Sequence, residues 1–155
     1  TDDLNLETTH VVAESPGSAK YRVACERQTP IVLPRWVRES ARVGHALDPA
    51  PYVLPALHGT CVTVTGAAFD EKRARDAARS LVERLGGAFS SQLHGGVTHL
   101  VAGGDARAST KLAAAREDPS FRGVRAVSAD WLCACARARH WLPECDFPPL
   151  PPGAG

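Results

Sequence analysis

Thr65-Gly66, Lys72 and Lys111 are the residues whose types and spacing could do chemistry in this chain. The run Cys61-Val62-Thr63-Val64 reads as a short buried strand, so Thr65-Gly66 falls at its carboxyl end. A hydroxyl beside a glycine N–H at such a strand end can hold an oxyanion, because backbone without a Cβ is open to close approach. Lys111 opens a second helical segment and Lys72 lies in the first turn of the first, so one or two ammonium groups can be brought to the same place. Two neutral donors and one or two cations suit a phosphate monoester. The same residues also fit a plain strand-to-turn junction with solvated lysines, and spacing leaves both readings open. No other cluster has the form of an enzyme centre. His10 and His99 stand between a threonine and an apolar residue, with no recurring Ser, Cys or carboxylate, and read as strand or core residues. Gly95-Gly96 and Gly103-Gly104 lack the glycine and Lys-Ser/Thr spacing of nucleotide loops.

The elements that must position these residues run from Thr60 to Trp131. Short β-rich runs at Cys61-Val64, Ala88-Phe89, His99-Ala102 and Ala126-Val127 alternate with helical patterns, which is the signature of a parallel sheet with crossover helices. Asp70 is the expected N-cap of the first helix, and Ala74, Ala77, Ala78, Leu81, Val82 and Leu85 form its buried stripe. Gly86-Gly87 ends it. Ser128 is the expected cap of a last helix with Trp131, Leu132, Cys135 and Ala138 buried.

The first third of the chain echoes this unit. Leu4 to Ala13 matches Leu93 to Ala102, Ser18-Ala19-Lys20-Tyr21 matches Ser109-Thr110-Lys111-Leu112, and Val32 to Val37 with Trp36 matches Val127 to Leu132 with Trp131. Three blocks in one order mean two copies of one unit. The first copy lacks any counterpart of Cys61 to Phe89, so residues 1–47 read as the C-terminal half of a truncated first domain, not expected to fold well alone. Residues 48–59 read as a Pro-rich linker, ordered but irregular, 60–145 as a complete second domain, and 146–155 as an extended, mobile Pro/Gly-rich tail. Trp141 fits either packing or partner contact.

Bulk properties narrow the function classes. Eighteen basic and seventeen acidic side chains leave a formal net charge of +1, which gives no whole-chain attraction to nucleic acid or an anionic membrane. No apolar run reaches the roughly 20 residues of a membrane span, and the acidic start lacks a signal peptide's form. Five cysteines show no C-x-x-C spacing, and Cys133 and Cys135 point about 200° apart around a helix, so no metal site is expected. An odd cysteine count fits a reducing compartment, cytosol or nucleus.

Together Thr65-Gly66, Gly86-Gly87, Thr98-His99-Leu100-Val101, the Lys111 helix and Trp131 resemble the signature positions of the BRCT family, over nearly the whole chain to Cys145. The blocks Thr-His-Val-Val-Ala, Gly-Ser-Ala-Lys-Tyr-Arg-Val-Ala and Pro-Ile-Val-Leu-Pro-Arg-Trp-Val, followed by Val-Thr-Gly, resemble more narrowly the N-terminal tandem of a replication-initiation and checkpoint scaffold. The resemblance implies an α/β fold, each copy a four-stranded parallel sheet in order 2-1-3-4 with two helices on one face and one on the other. It also implies a nuclear, non-enzymatic module without cofactor that binds phosphoserine or phosphothreonine in protein tails, with no membrane partner. By that likeness the phosphate site is Thr65, Gly66 and Lys111, with Lys72 as the accompanying basic side chain and Lys20 as the first copy's lysine. That first-copy site lacks its hydroxyl and glycine here. Asp118-Pro119 stands where the related tandem has an aromatic residue, so peptide preference does not carry over. Two alternatives stay open: a DNA-end-binding module using Lys72, Arg73, Arg75 and Arg79, weaker because net charge is near zero, and the regulatory tandem of a Rho guanine-nucleotide exchange factor.

Overall fold

A computed structural model describes residues 7–149 of the chain. The complete copy contains β3 (Cys61–Thr65), α3 (Lys72–Arg84), β4 (Ala88–Phe89), β5 (His99–Ala102), α4 (Thr110–Glu117), β6 (Arg125–Ser128) and α5 (Ala129–Ala138). All its strands are parallel, in the order β4-β3-β5-β6. By position within the copy that is the expected 2-1-3-4. β3 and β5 are central and hydrogen-bonded on both sides, which is why Val62, Thr63 and Val64 and every residue of β5 are buried.

Alternation along the strands divides the helices between two faces. Val62, Val64, Val101 and Val127 form one cluster with Ala78 and Val82 of α3 and Trp131, Leu132 and Cys135 of α5. Thr63 points the other way, where Lys111 of α4 donates to its hydroxyl. Two helices therefore cover one face and one the other. The tight spacing of α5 buries Cys135 and exposes Cys133, as their angular separation requires.

The preceding copy contributes β1 (Val11–Val12), α1 (Ala19–Glu26), β2 (Ile31–Val32) and α2 (Pro34–Val43), with β1 and β2 paired in parallel. Its equivalence to the complete copy is physical as well as sequential. His10 stacks on Trp36 with centroids 4.8 Å apart, and His99 stacks on Trp131 at 4.8 Å. The Trp36 indole donates to the Leu47 carbonyl (2.8 Å) and that of Trp131 to the Leu142 carbonyl (2.9 Å). Ser18 caps α1 through Tyr21 N–H, and Ser109 caps α4 through Leu112 N–H. Trp36 is only half-buried, whereas Trp131 is fully enclosed.

Three expectations need correction, and the linker does more than connect the copies. The residues after Pro49 are irregular in that they turn at Ala50–Tyr52, yet they also line the open side of β2: Leu33 N–H donates to Tyr52 O, Leu54 N–H to Ile31 O, and Val53 bridges antiparallel to Val32. Leu54 enters the first copy's core and Leu57 the second's, so this segment is structural in both. Glu71, not Asp70, is the N-cap of α3, because Asp70 closes the preceding 3-10 turn at Ala67–Phe69. Ala77 of α3 is exposed, outside the stripe of Ala78 and Val82, and so is Ala138, since α5 ends one turn beyond Cys135. The segment after Trp141 is fixed through Phe147, which packs on the core while Ser128 N–H donates to its carbonyl; Leu150 to Gly155 of the expected mobile tail, and Leu4, Asn5 and Leu6 of the repeat's opening block, lie outside the described residues.

Trp141 is a packing residue. It lies against both cores, stacks edge-on with Tyr21 at 6.5 Å, and its backbone N–H donates to the Tyr21 hydroxyl at 2.9 Å. Burial pushes the Tyr21 phenol up to about 12, so it is neutral at any physiological pH and serves as an acceptor.

Candidate anion-binding site

The end of β3 is held by bonds that leave one amide unused. Gly103 N–H donates to Thr65 O (2.9 Å), Ala67 N–H to Asp105 O (2.9 Å) and Ala68 N–H to Gly103 O (3.0 Å). Gly66 lies between them at φ 100° and ψ 166°, a conformation reserved for glycine. A Cβ there would come within 2.2 Å of Gly103 O, so the close apposition of the two loops also demands glycine. No acceptor among the described residues takes the Gly66 N–H. An unmet donor held rigidly at a cleft is the first component of an oxyanion site.

Thr65 supplies the second component, in a way the sequence did not disclose. Its hydroxyl lies 2.5 Å from the Ser109 hydroxyl, and Ser109 Oγ also accepts from Leu112 N–H as the cap of α4. The contact between the two hydroxyls uses one proton, which leaves the other available to a ligand. Capping thus couples the strand end to the helix N-terminus, where the Thr110 and Lys111 N–H groups have no intrahelical acceptor.

Lys111 runs back to the same strand end. Its ammonium donates to Val64 O (3.0 Å), Ser91 O (2.9 Å) and, more weakly, Thr63 Oγ1 (3.3 Å). Burial lowers its pKa from the ordinary lysine value, and the neighbouring Arg75 charge lowers it further. Those carbonyls hold the cation in place before any ligand arrives. An anion that binds must share or displace the most exposed of the three bonds, the one to Ser91.

These groups line a cleft of about 340 Å³, together with Ala67, Ala108 and Thr110 and two carboxylates, Asp70 and Asp105. Asp105 is engaged by Arg107 through two side-chain bonds, at 3.0 and 2.7 Å, and one from its backbone N–H, and the guanidinium and that N–H hold its carboxyl down at about 2. It is a charged but occupied acceptor. The cleft therefore presents a hydroxyl, free backbone N–H groups and an ammonium, a set of donors suited to a tetrahedral oxyanion. Neither hydroxyl is bonded to a histidine or carboxylate among the described residues, so neither is set up as a nucleophile.

Thr65, Gly66 and Lys111 are thus brought together. Lys72 lies in an adjoining cleft that it shares with Lys111, and Lys20 is exposed on α1 and lines neither. His99 is buried, as its sequence position suggested, but with a partner the sequence hid: Nε2 meets Glu144 Oε1 at 2.8 Å and Nδ1 meets the Thr98 hydroxyl. Burial lowers its pKa and the Glu144 carboxylate only partly opposes this. Stacked on Trp131 and largely buried, it ties β5 to the segment that carries Glu144. Ser109 and Glu144 escaped the sequence reading for one reason: each is brought to its partner by a contact spanning more than forty residues. The recurrence of a capping serine at Ser18 and Ser109 was the sole available hint.

The family model for the twin BRCT domain matches residues 1–36 and 60–131. Among solved structures, Rad4 BRCT1,2 in complex with a Crb2 phosphopeptide aligns with TM-score 0.78 at 24% identity, covering 96% of this chain and 81% of that one. Rad4 BRCT1,2 in complex with an Mdb1 phosphopeptide aligns with TM-score 0.75 at 24% identity, covering 95% and 81%. The structure of yeast Rtt107 and Mms22 aligns with TM-score 0.52 at 16% identity, covering 95% of this chain and 32% of that one.

Proposed function

This chain belongs to the twin BRCT domain family, and from that premise we propose that it is a non-catalytic scaffold module that docks phosphoserine- or phosphothreonine-bearing segments of other proteins. The single observation that carries the reading is the unused Gly66 N–H, held beside the Thr65–Ser109 hydroxyl pair and a pre-positioned Lys111 ammonium. A phosphoryl group seated there accepts from Gly66 N–H, from the free hydroxyl proton and from Lys111, and its charge near −2 compensates a cation that burial otherwise disfavours. Lys72, the first residue of α3, adds a longer-range charge. The fold likeness to Rad4 BRCT1,2, crystallised with two different phosphopeptides, supports this assignment. The partners are phosphorylated tails of replication-initiation and DNA-damage checkpoint proteins, and the site of action is the nucleus. Lys20, at the position of the first copy that matches Lys111, serves that copy in the same manner.

Titration with a phosphothreonine peptide and its unmodified form tests the proposal. The phosphorylated form binds at least about tenfold tighter, a difference of about 1.4 kcal/mol; equal affinities overturn it. Bare duplex DNA is the control, and a steep loss of DNA affinity with salt in the absence of any phosphate preference assigns the basic face of α3 to nucleic acid instead.

A further inference from the structure

Lys111 is shared by a second cleft of about 240 Å³, where α3 faces the ends of β3 and β4 and where Lys72, Arg75, Arg79, Phe89 and Ser91 complete the wall. Four cations meet there. The lone carboxylate, Asp76, makes no ion pair with any of them, and the ion pairs among the described residues lie elsewhere. Three of the cations are fixed without a counter-charge. Arg75 donates to the carbonyls of Phe69 (2.9 Å) and Asp70 (2.8 Å), the Arg79 guanidinium lies 5.1 Å over the Phe89 ring, and Lys111 is held by Val64 and Ser91. Neutral groups position these charges but cannot neutralise them, and like charges so gathered raise the local potential. A guanidinium held over a ring by its cation–π contact spends none of its N–H donors there, so they stay free for a carboxylate or phosphoryl group.

We infer that this second cleft binds another anionic side chain of the same docked segment, a glutamate or aspartate or a second phosphoryl group, next to the phosphorylated residue in the Thr65–Gly66 cleft. The inference rests on the phosphate reading of that first cleft. Lys111, lining both, joins them into one surface and sets the expectation that the two anions belong to one peptide.

The test uses the whole chain and four peptides read by fluorescence anisotropy: unmodified, phosphothreonine with alanine flanks, phosphothreonine with glutamate flanks on both sides, and doubly phosphorylated. Glutamate flanks or a second phosphate tighten binding about fivefold or more over alanine flanks. Arg79→Gln, outside the first cleft, removes that gain and leaves the alanine-flanked affinity within about twofold, while Arg84→Gln, which deletes the same charge at the end of α3 away from the cleft, leaves the gain intact. Tightening by glutamate assigns the subsite to carboxylates, and tightening by the second phosphate alone assigns it to phosphoryl groups. Equal affinity for all three phosphopeptides, or equal losses in the two variants, overturns the inference while the phosphate reading stands. Failure to distinguish the unmodified peptide from the alanine-flanked phosphopeptide instead overturns the phosphate reading.

Discussion

Replacing Gly66 by alanine tests whether the turn after β3 is built as described. Its φ of 100° with ψ of 166° lies in a region costing any other residue about 1–3 kcal/mol. The added Cβ would meet Gly103 O at 2.2 Å, against a carbon-to-oxygen approach of about 3.3 Å in the closest favourable contacts. Relief requires the two loops to part by about an ångström, which strains the Ala68 N–H bond to Gly103 O and the Gly103 N–H bond to Thr65 O, each worth about 1 kcal/mol. The expected destabilisation is at least about 3 kcal/mol, or a fall in Tm of about 6–12 °C for a chain of this length. Gly95→Ala is the matched control, because nothing lies within 4 Å of a Cβ there. Urea and thermal unfolding of both variants by circular dichroism measure the difference. A Gly66→Ala loss within about 1 kcal/mol of the Gly95→Ala loss would refute the reasoning, since the turn would then not need its glycine.

Three further outcomes follow from the same contacts. Thr65→Val keeps the shape and removes the hydroxyl, so phosphopeptide affinity falls about 10- to 100-fold, from a charge-assisted bond of about 1.5–3 kcal/mol, while stability changes by less than about 1 kcal/mol; calorimetric titration and urea unfolding read the two effects separately. Tyr21→Phe strands the Trp141 N–H between the copies and costs about 1–3 kcal/mol in urea unfolding. His99 has a folded pKa below its unfolded value, so the neutral ring stabilises the fold fully above the ordinary range near 6.5 and stability is lost as pH falls through that range toward the lowered value; unfolding between pH 8 and 5 shows the decline, and His99→Gln flattens it.

Much of the architecture was legible because it depends on local patterns. The alternation in Cys61–Thr65, the stripe through Ala78 and Val82, and Gly86 as the left-handed residue just past α3 place the sheet and its helices without any long-range knowledge. Lys111 was legible as a cation at the start of α4 for the same reason. What stayed hidden depends on residues distant in the chain. Pro143, Pro148 and Pro149 make the end of the chain look like free tail, yet Phe147 is fixed because Ser128 and the apolar cluster above it meet it in space. Leu54 and Leu57 sit among prolines and small residues, and only distant partners explain why they are core: the free edge of β2 for Leu54, and the end of α3 with the second copy's cluster for Leu57. Asp70 has the chemistry of a cap, but Gly66 starts a 3-10 turn that moves the helix start by one residue. The Thr65–Ser109 pair is the same kind of case, a hydroxyl contact created by the packing of α4 on the sheet.

The most direct measurement is the amide NMR spectrum of the isotopically labelled chain during titration with a phosphothreonine peptide and, separately, its unmodified form. The Gly66 amide proton is expected to move downfield as the phosphopeptide saturates the chain, with Ser109, Thr110 and Lys111 shifting alongside it, while the unmodified peptide leaves all four in place. A Gly66 resonance that stays put while the phosphopeptide binds would place the phosphate elsewhere and contradict the account.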